Sequence, residues 1–246
     1  MGYLKRLAQL LSLGAIAAVM AVTPASAGDY NGDFMIRLQG TGVFTQDDLR
    51  HLDSASLGDL KALGFDAKVS DRFIPTATLS YFLNKNFAVE LFCCFSKHSV
   101  DLKTPAGFGA LQGEVAQAWL FPPILTLQYH FTNFGRFKPY VGAGIQYIHF
   151  FREKTGRNTL GAGDVDFEDS WGPALQAGFD LEIGRGWYLN ADIKKSFLDT
   201  KVKWRYALGG GDTIIAKDDL DPLTVSVGVG YRFNLFGSVA DSQPMK

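Results

Sequence analysis

The chain has 246 residues, with 24 Lys and Arg against 25 Asp and Glu, a formal net charge of −1, and 47% of its residues hydrophobic. That balance gives no electrostatic case for a nucleic-acid partner. The two cysteines are adjacent, Cys93 and Cys94; strand neighbours point to opposite faces, so a disulfide scaffold and metal-ligand spacing are both excluded.

Lys5 and Arg6 open the chain, followed by an apolar run over residues 7–22 and then Pro24 and Ala25-Ser26-Ala27. A basic start, an apolar middle and a small-x-small ending are expected to form a secretory signal peptide, residues 1–27. Without those residues, which hold two bases and no acid, the net charge moves from −1 to −3. Beyond them no apolar run is long enough for a membrane helix. A closed β-barrel stays open, because its segments are short and only half apolar.

From residue 33 the chain alternates with period two. Phe34, Ile36 and Leu38 lie on one side, with Met35, Arg37, Gln39 and Thr41 on the other. Residues 45–74 form a long polar connection, in which Leu49, Leu52, Leu57, Leu60 and Leu63 fall near helical spacing and suggest a short helix or an ordered loop. Ala77, Leu79, Tyr81 and Leu83 then alternate with Thr76, Thr78, Ser80 and Phe82. After a tight turn at Asn84-Lys85-Asn86, Phe87, Val89, Leu91, Cys93 and Phe95 oppose Ala88, Glu90, Phe92, Cys94 and Ser96. A second long connection, 97–117, leads into a hairpin. Its first arm sets Leu125, Leu127, Tyr129 and Phe131 against Thr126, Gln128, His130 and Thr132; its second sets Val141, Ala143, Ile145 and Tyr147 against Tyr140, Gly142, Gly144, Gln146 and Ile148. After a third connection, 152–169, the cleanest alternation runs from Trp171 to Ile183, with Gln176, Asp180 and Glu182 on its polar side. Gly184-Arg185-Gly186 turns it into a strand whose polar face is Tyr188, Asn190, Asp192 and Lys194. A fourth connection, 200–221, precedes a last strand with Val225, Val227, Val229, Tyr231 and Phe233 on one face and Thr224, Ser226, Gly228, Gly230 and Arg232 on the other.

The reading is eight strands with short and long connections in strict alternation. The polar face carries Arg37, Glu90, Asp180, Glu182, Asp192, Lys194 and Arg232, charges that cannot all line a dry core unpaired. The apolar face is too extensive to leave in water. A lipid-facing exterior around a polar lumen satisfies both, so the expected fold is all-β: an eight-stranded antiparallel transmembrane β-barrel with short periplasmic turns and long extracellular loops. Aromatics agree. Tyr81, Phe87, Tyr129, Phe131, Phe137, Trp187, Tyr231 and Phe233 flank the short turns or the chain end, while Phe44, Phe95, Phe121, Phe151 and Trp171 sit at the opposite strand ends, as two interfacial girdles would. The barrel is expected over 28–233, with a tail over 234–246.

Several strings carry a family likeness: Leu120-Phe121-Pro122-Pro123-Ile124-Leu125, then Phe137-Lys138-Pro139-Tyr140-Val141-Gly142-Ala143-Gly144, Asp169-Ser170-Trp171-Gly172, Leu220-Asp221-Pro222 and Gly230-Tyr231-Arg232-Phe233. Over nearly the whole mature chain the sequence resembles the OmpW family of small outer-membrane proteins. The resemblance implies a bacterial outer-membrane barrel whose narrow lumen admits small hydrophobic molecules and releases them sideways into the membrane. Members usually end at the terminal aromatic, whereas this chain continues from Asn234 to Lys246.

The expected function is therefore a non-enzymatic channel or binding pocket for small apolar solutes, with no cofactor. Its surroundings are outer-membrane lipid and lipopolysaccharide, and it is a monomer or weak oligomer. The seven lumen charges are expected to pair into a self-satisfied ladder. The loop residues Leu49, Leu52, Leu57, Leu60, Leu63, Phe108 and Leu111, with Ala106, are candidates for an apolar funnel. The lumen glycines could open a cavity or permit tight curvature. One alternative is a plugged structural barrel whose loops contact surface partners. Another is a lipid-modifying hydrolase, for which His149 near Ser170 or Asp169 is the one pairing at the loop rim, and which lacks the remaining geometry of a triad.

Overall fold

The computed structural model describes residues 32–45, 48–107, 109, 112–156, 163–206 and 211–234. The expected signal peptide, the tail after Asn234, and Phe108 and Leu111 lie outside the described residues. Numbered in chain order, the strands are β1 (Asp33–Phe44), β2 (Asp48–Ser54), β3 (Gly58–Asp59), β4 (Asp66–Val69), β5 (Arg72–Phe82), β6 (Phe87–Cys93), β7 (Ser96–Lys103) and β8 (Gly113–Phe121). They continue with β9 (Ile124–His130), β10 (Phe137–Thr155), β11 (Asp164–Phe167), β12 (Ser170–Gly184), β13 (Trp187–Ser196), β14 (Asp199–Tyr206), β15 (Asp212–Asp219) and β16 (Leu223–Asn234).

Eight of these close on themselves in the order β12-β13-β16-β1-β5-β6-β9-β10, with β10 returning to β12, every neighbour antiparallel. First and last strands meet from Asp33↔Asn234 to Phe44↔Leu223, so the barrel has no open edge there. The alternation reads directly as facing. Leu127, Ile145, Leu175 and Val227 point outward and are half or more exposed, while their neighbours Gln128, Gln146, Gln176 and Ser226 are buried inside. In water that outer surface would be costly at roughly 25 cal/mol per Å² of apolar area; in hydrocarbon it is the solvent-matched face. Rings gather at both ends. Phe87–Tyr129, Tyr129–Phe131 and Trp187–Tyr231 centroids lie 5.2, 5.0 and 4.9 Å apart near the short turns, and Phe95 contacts Phe121 and Phe151 at 4.9 and 6.3 Å at the other end.

The short turns have local causes. The Asn84 side-chain oxygen accepts from the backbone N–H groups of Asn86 and Phe87 at 2.8 and 2.9 Å. Gly184 and Gly186 carry φ of +123° and +81°, a backbone that a Cβ would strain. Within the wall, the partner strand closes against Gly144, whose added Cβ would collide with the Leu125 carbonyl oxygen. There the glycine serves close strand approach.

The long connections are mostly not loops. They are strands that extend the wall outward: β4, β7 and β8 join β10 above the barrel, and β11, β14, β15, β2 and β3 form a second sheet beside them. Between them lies a cluster that includes Leu49, Leu52, Val100, Leu120, Phe150 and Trp204. The helix suggested by the leucine spacing is not formed; the segment is β2 with its partners. Its register against β15 shifts between Lys217 and Asp218, leaving Arg50 as the extra residue. That bulge turns both Leu49 and Leu52 inward at a spacing of three, which imitates a helical period.

Candidate functional site

The barrel interior is closed by a hydrogen-bonded polar plug. Arg37 on β1 donates to both carboxylate oxygens of Asp180 on β12, Nε to Oδ1 at 3.0 Å and Nη2 to Oδ2 at 2.6 Å. Its Nη1 reaches Glu90 on β6 at 2.8 Å and Ser80 on β5 at 2.6 Å. Lys194 on β13 pairs with the other Glu90 oxygen at 3.2 Å and also contacts Asp192. The neutral members complete the crossing: Gln176 Nε2 donates to Glu90 at 2.9 Å and Asp192 at 2.7 Å, the Tyr140 hydroxyl to Asp192 at 2.9 Å, and Asn190 Nδ2 to Asp180 at 2.9 Å. Bidentate and charge-assisted bonds of this kind make burial of five charged side chains tolerable. Nearer the short turns, Arg232 pairs with Asp33 at 2.7 Å and Lys138 approaches Glu182 at 3.9 Å. The seven charges singled out in the sequence are thus all inward, in three groups along the barrel. Gly178 has a definite role: a Cβ there would come within 2.6 Å of the Tyr140 hydroxyl, so its bareness seats the ring at the centre of the plug.

Above the plug the chemistry reverses. An apolar cavity of about 80 Å³ is lined by Phe92, Val100, Leu120, Phe150, Val202 and Trp204 among others, with Gln146 and Thr224 where it meets the plug. The boundary is sharp: Lys194 Nζ lies 4.9 Å from the centroid of the Phe92 ring. A smaller space of about 20 Å³ lies farther out, between Leu52, Leu60, Phe65 and Leu102, and shares Ala67 and Trp204 with the first. Trp204 is fixed by donation of its Nε1 to the Val115 carbonyl at 3.2 Å. His98, in the outer sheet beyond the aromatic ring of Phe95, also lines the cavity; burial pushes its imidazole down to about 4, so it stays neutral at ordinary pH.

The loop leucines divide. Leu49 lines the larger cavity, and Leu52 and Leu60 line the smaller one. Leu57 and Leu63 are 59% and 57% exposed and face away from both. Much of the lining comes from residues that the sequence reading left in connections, among them Val100 on β7, Val115 on β8, Val202 and Trp204 on β14 and Ile214 and Ala216 on β15. Their signal was present as short period-two runs: Val100 and Leu102, Val202 and Trp204, Ile214 and Ala216.

The wall beside the cavity is interrupted. Strands β6 and β9 pair up to Phe92↔Ile124, and β7 and β8 resume at Ser96↔Leu120 in the same register, so three positions fall in the break, with Cys94 opposite Pro122 at its centre. Pro123 uses its carbonyl on the other side, accepting from Tyr147 N–H at 3.0 Å. By strand alternation Pro122 faces β7, where it has no N–H to offer. Both Cys94 and Pro122 line the cavity, and outside the gap the Phe95 and Phe121 rings stack at 4.9 Å. The rim His149 donates from Nδ1 to the Asp169 carboxylate at 2.9 Å, which also accepts from the Tyr147 hydroxyl at 2.6 Å. Ser170 instead donates to the Asp199 carbonyl at 2.5 Å, so the Ser–His–acid grouping is not assembled.

This arrangement has counterparts. The sequence pattern of the OmpW family matches residues 30–233. The chain is 38% identical to the uncharacterized outer-membrane protein y4mB of Sinorhizobium fredii over 231 residues, covering 92% of this chain and 93% of that one. It is 30% identical to outer membrane protein W of Escherichia coli over 230 residues, 91% of this chain and 99% of that one. Among solved structures, outer membrane protein OprG of Pseudomonas aeruginosa superposes with a TM-score of 0.74 at 30% identity, over 84% of this chain and 98% of OprG.

Proposed function

Because the chain belongs to the OmpW family of outer-membrane β-barrel proteins, we propose that it takes up small hydrophobic molecules and delivers them sideways into the membrane, without catalysis or a cofactor. One observation carries this reading: an apolar cavity stands directly on a closed plug of paired charges, beside a break in the barrel wall centred on Cys94 and Pro122. A solute that leaves water for the cavity gains the usual apolar transfer energy. Continuing down the axis would mean breaking buried ion pairs. The Cys94–Pro122 gap offers a route bounded by apolar side chains, and lipid lies beyond it.

The outer leaflet is the setting for this route. Lys97, Arg152 and Lys154 are exposed on β7 and β10 just past the outer ring of aromatics, which supports contact with lipopolysaccharide phosphates. The plug also favours a second reading for ions and polar solutes: a sealed barrel whose outer strands serve surface contacts. The separation of Ser170 from His149 supports a non-enzymatic role.

The deciding experiment places the refolded mature protein in liposomes and follows uptake of a small apolar probe beside a polar probe of similar size. Faster uptake of the apolar probe alone is the expected result. Acceleration of neither would leave the sealed surface-contact barrel, and acceleration of both would contradict the plug.

A further inference from the structure

Resting on the uptake reading, we infer that the cavity selects apolar molecules bearing one hydroxyl group, and that Gln146 is the residue that reads it. Gln146 on β10 is 4% exposed and lines the large cavity. Its Oε1 is buried without a hydrogen-bond partner, in a wall where Thr200, His98, Ser96 and Thr224 are engaged. Thr200 donates to the Glu168 carbonyl at 2.9 Å, His98 is held by Ser70 and Ser96 at 2.9 and 3.2 Å, and Thr224 donates to the Lys194 carbonyl at 3.4 Å. Below Gln146 the inward glutamines Gln128 and Gln176 are bound into the polar interior, and Gln39 joins it through its Nε2, which donates to Asn190. Gln146 is thus the uppermost amide of a polar column, and it meets apolar space.

A buried, unpartnered amide oxygen is unfavourable and rare, and it asks for a partner. Apart from Gln146, the Asp218 carboxylate, His98 and four hydroxyl side chains the lining is apolar, so the complementary molecule has a hydrocarbon body lying against Phe92, Leu120, Ile148 and Phe150 and a polar end at Gln146. A hydroxyl suits both orientations of the amide, since it can donate to the oxygen or accept from the nitrogen. A negatively charged head is disfavoured, because Lys194 at the cavity floor is already committed to Glu90 and Asp192 and the Asp218 carboxylate lines the same space. A pure alkane fits the walls but leaves the amide unsatisfied.

The test uses the full mature chain in lipid nanodiscs and the probes pentanol and pentane. Binding is read at the Ile148 methyl resonances, which report cavity occupancy, and at the Gln146 side-chain amide. Pentanol is expected to shift both signals and pentane only the methyls. In Gln146→Leu, affinity for pentanol relative to pentane should fall about tenfold, the size of one net hydrogen bond plus its desolvation. Comparison within one lipid composition removes membrane partitioning, which is the same for both proteins. An unchanged pentanol-to-pentane ratio in the variant, with Ile148 still responding, would overturn the role of Gln146 and leave the uptake reading intact. Identical amide shifts with both probes would assign the partner to water and overturn it equally. Silence of Ile148 toward both probes in the unsubstituted protein would remove the cavity as a site, and the uptake reading with it. Should Gln146→Leu not fold, Gln146→Met and the amide signal of the unsubstituted protein carry the same decision.

Discussion

Arg37 is fully buried, and its guanidinium is divided between two carboxylates on different strands. Glu90 retains Lys194 if Arg37 is lost; Asp180 keeps only the Asn190 amide and is stranded in a dry interior. Arg37→Met should therefore destabilise the barrel by about 3–5 kcal/mol, and Arg37→Met with Asp180→Leu should recover much of that loss, because the pair is costly to break and less costly to replace. Urea unfolding in lipid vesicles checks both, and equal stability of the single and double variants would mean that Asp180 is not held by Arg37. His98 gives a pH-dependent counterpart in the outer sheet. Above about pH 6.5 its ring is neutral whether the chain is folded or not, and contributes no slope. As pH falls further, the unfolded chain takes up a proton that the folded one refuses until about pH 4, so stability declines across that window. Amide exchange along β7, corrected for intrinsic rates, should show protection falling between those values, and His98→Gln should flatten the fall.

At the level of strands, the interruption between β6–β7 and β9–β8 is the feature with consequences for transport. Register is identical on both sides of it, and Pro122, which has no N–H to donate, lies at its centre. Pro122→Val returns an N–H to the side facing Cys94. It should close the wall and slow uptake of an apolar probe several-fold, while heat-modifiable gel mobility shows the barrel still folded. Unchanged uptake would place the exit elsewhere. The same strands show what could and could not be read from the sequence. Phe34 to Thr41, Leu125 to Phe131 and Trp171 to Ile183 were legible because lipid outside and polar lumen inside impose an unbroken period of two. The outer sheets were not. Their ladders shift register at Val100/Asp101, Phe151/Lys154 and Lys217/Asp218, and the extra residue breaks the alternation of the strand that carries it, as at Val115 on β8 and Arg50 on β2. A pattern broken every few residues reads as a polar connection, and around Leu49 and Leu52 it reads as a helix. The cavity was hidden for a further reason: its lining is drawn from four connections far apart in sequence, each contributing a few apolar residues at most that carry no meaning alone.

The whole molecule is a barrel divided across its axis into two solvents. An eight-stranded barrel is narrow enough for its own side chains to fill, and the inner half is filled by Arg37, Glu90, Tyr140, Gln176, Asp180, Asn190, Asp192 and Lys194. The outer half is apolar. Ions meet two barriers in series, since a charge is costly in the apolar cavity and the plug beneath has no spare partner for it. An apolar solute meets only the second barrier, and the wall gap lies before it. The two pathways should therefore respond separately to substitution. In planar bilayers the protein is expected to show ion conductance near background. Replacing Arg37, Glu90, Asp180, Asp192 and Lys194 together by Ala empties the inner half without leaving a stranded charge, and conductance should rise. Apolar uptake should change little, because its route leaves the axis above those residues. Conductance that rises together with a loss of apolar uptake would mean that the solute travels down the lumen and that the plug belongs to its path. Conductance already high before substitution would mean that the ion pairs open in the membrane, and the division of the barrel into two solvents would not hold.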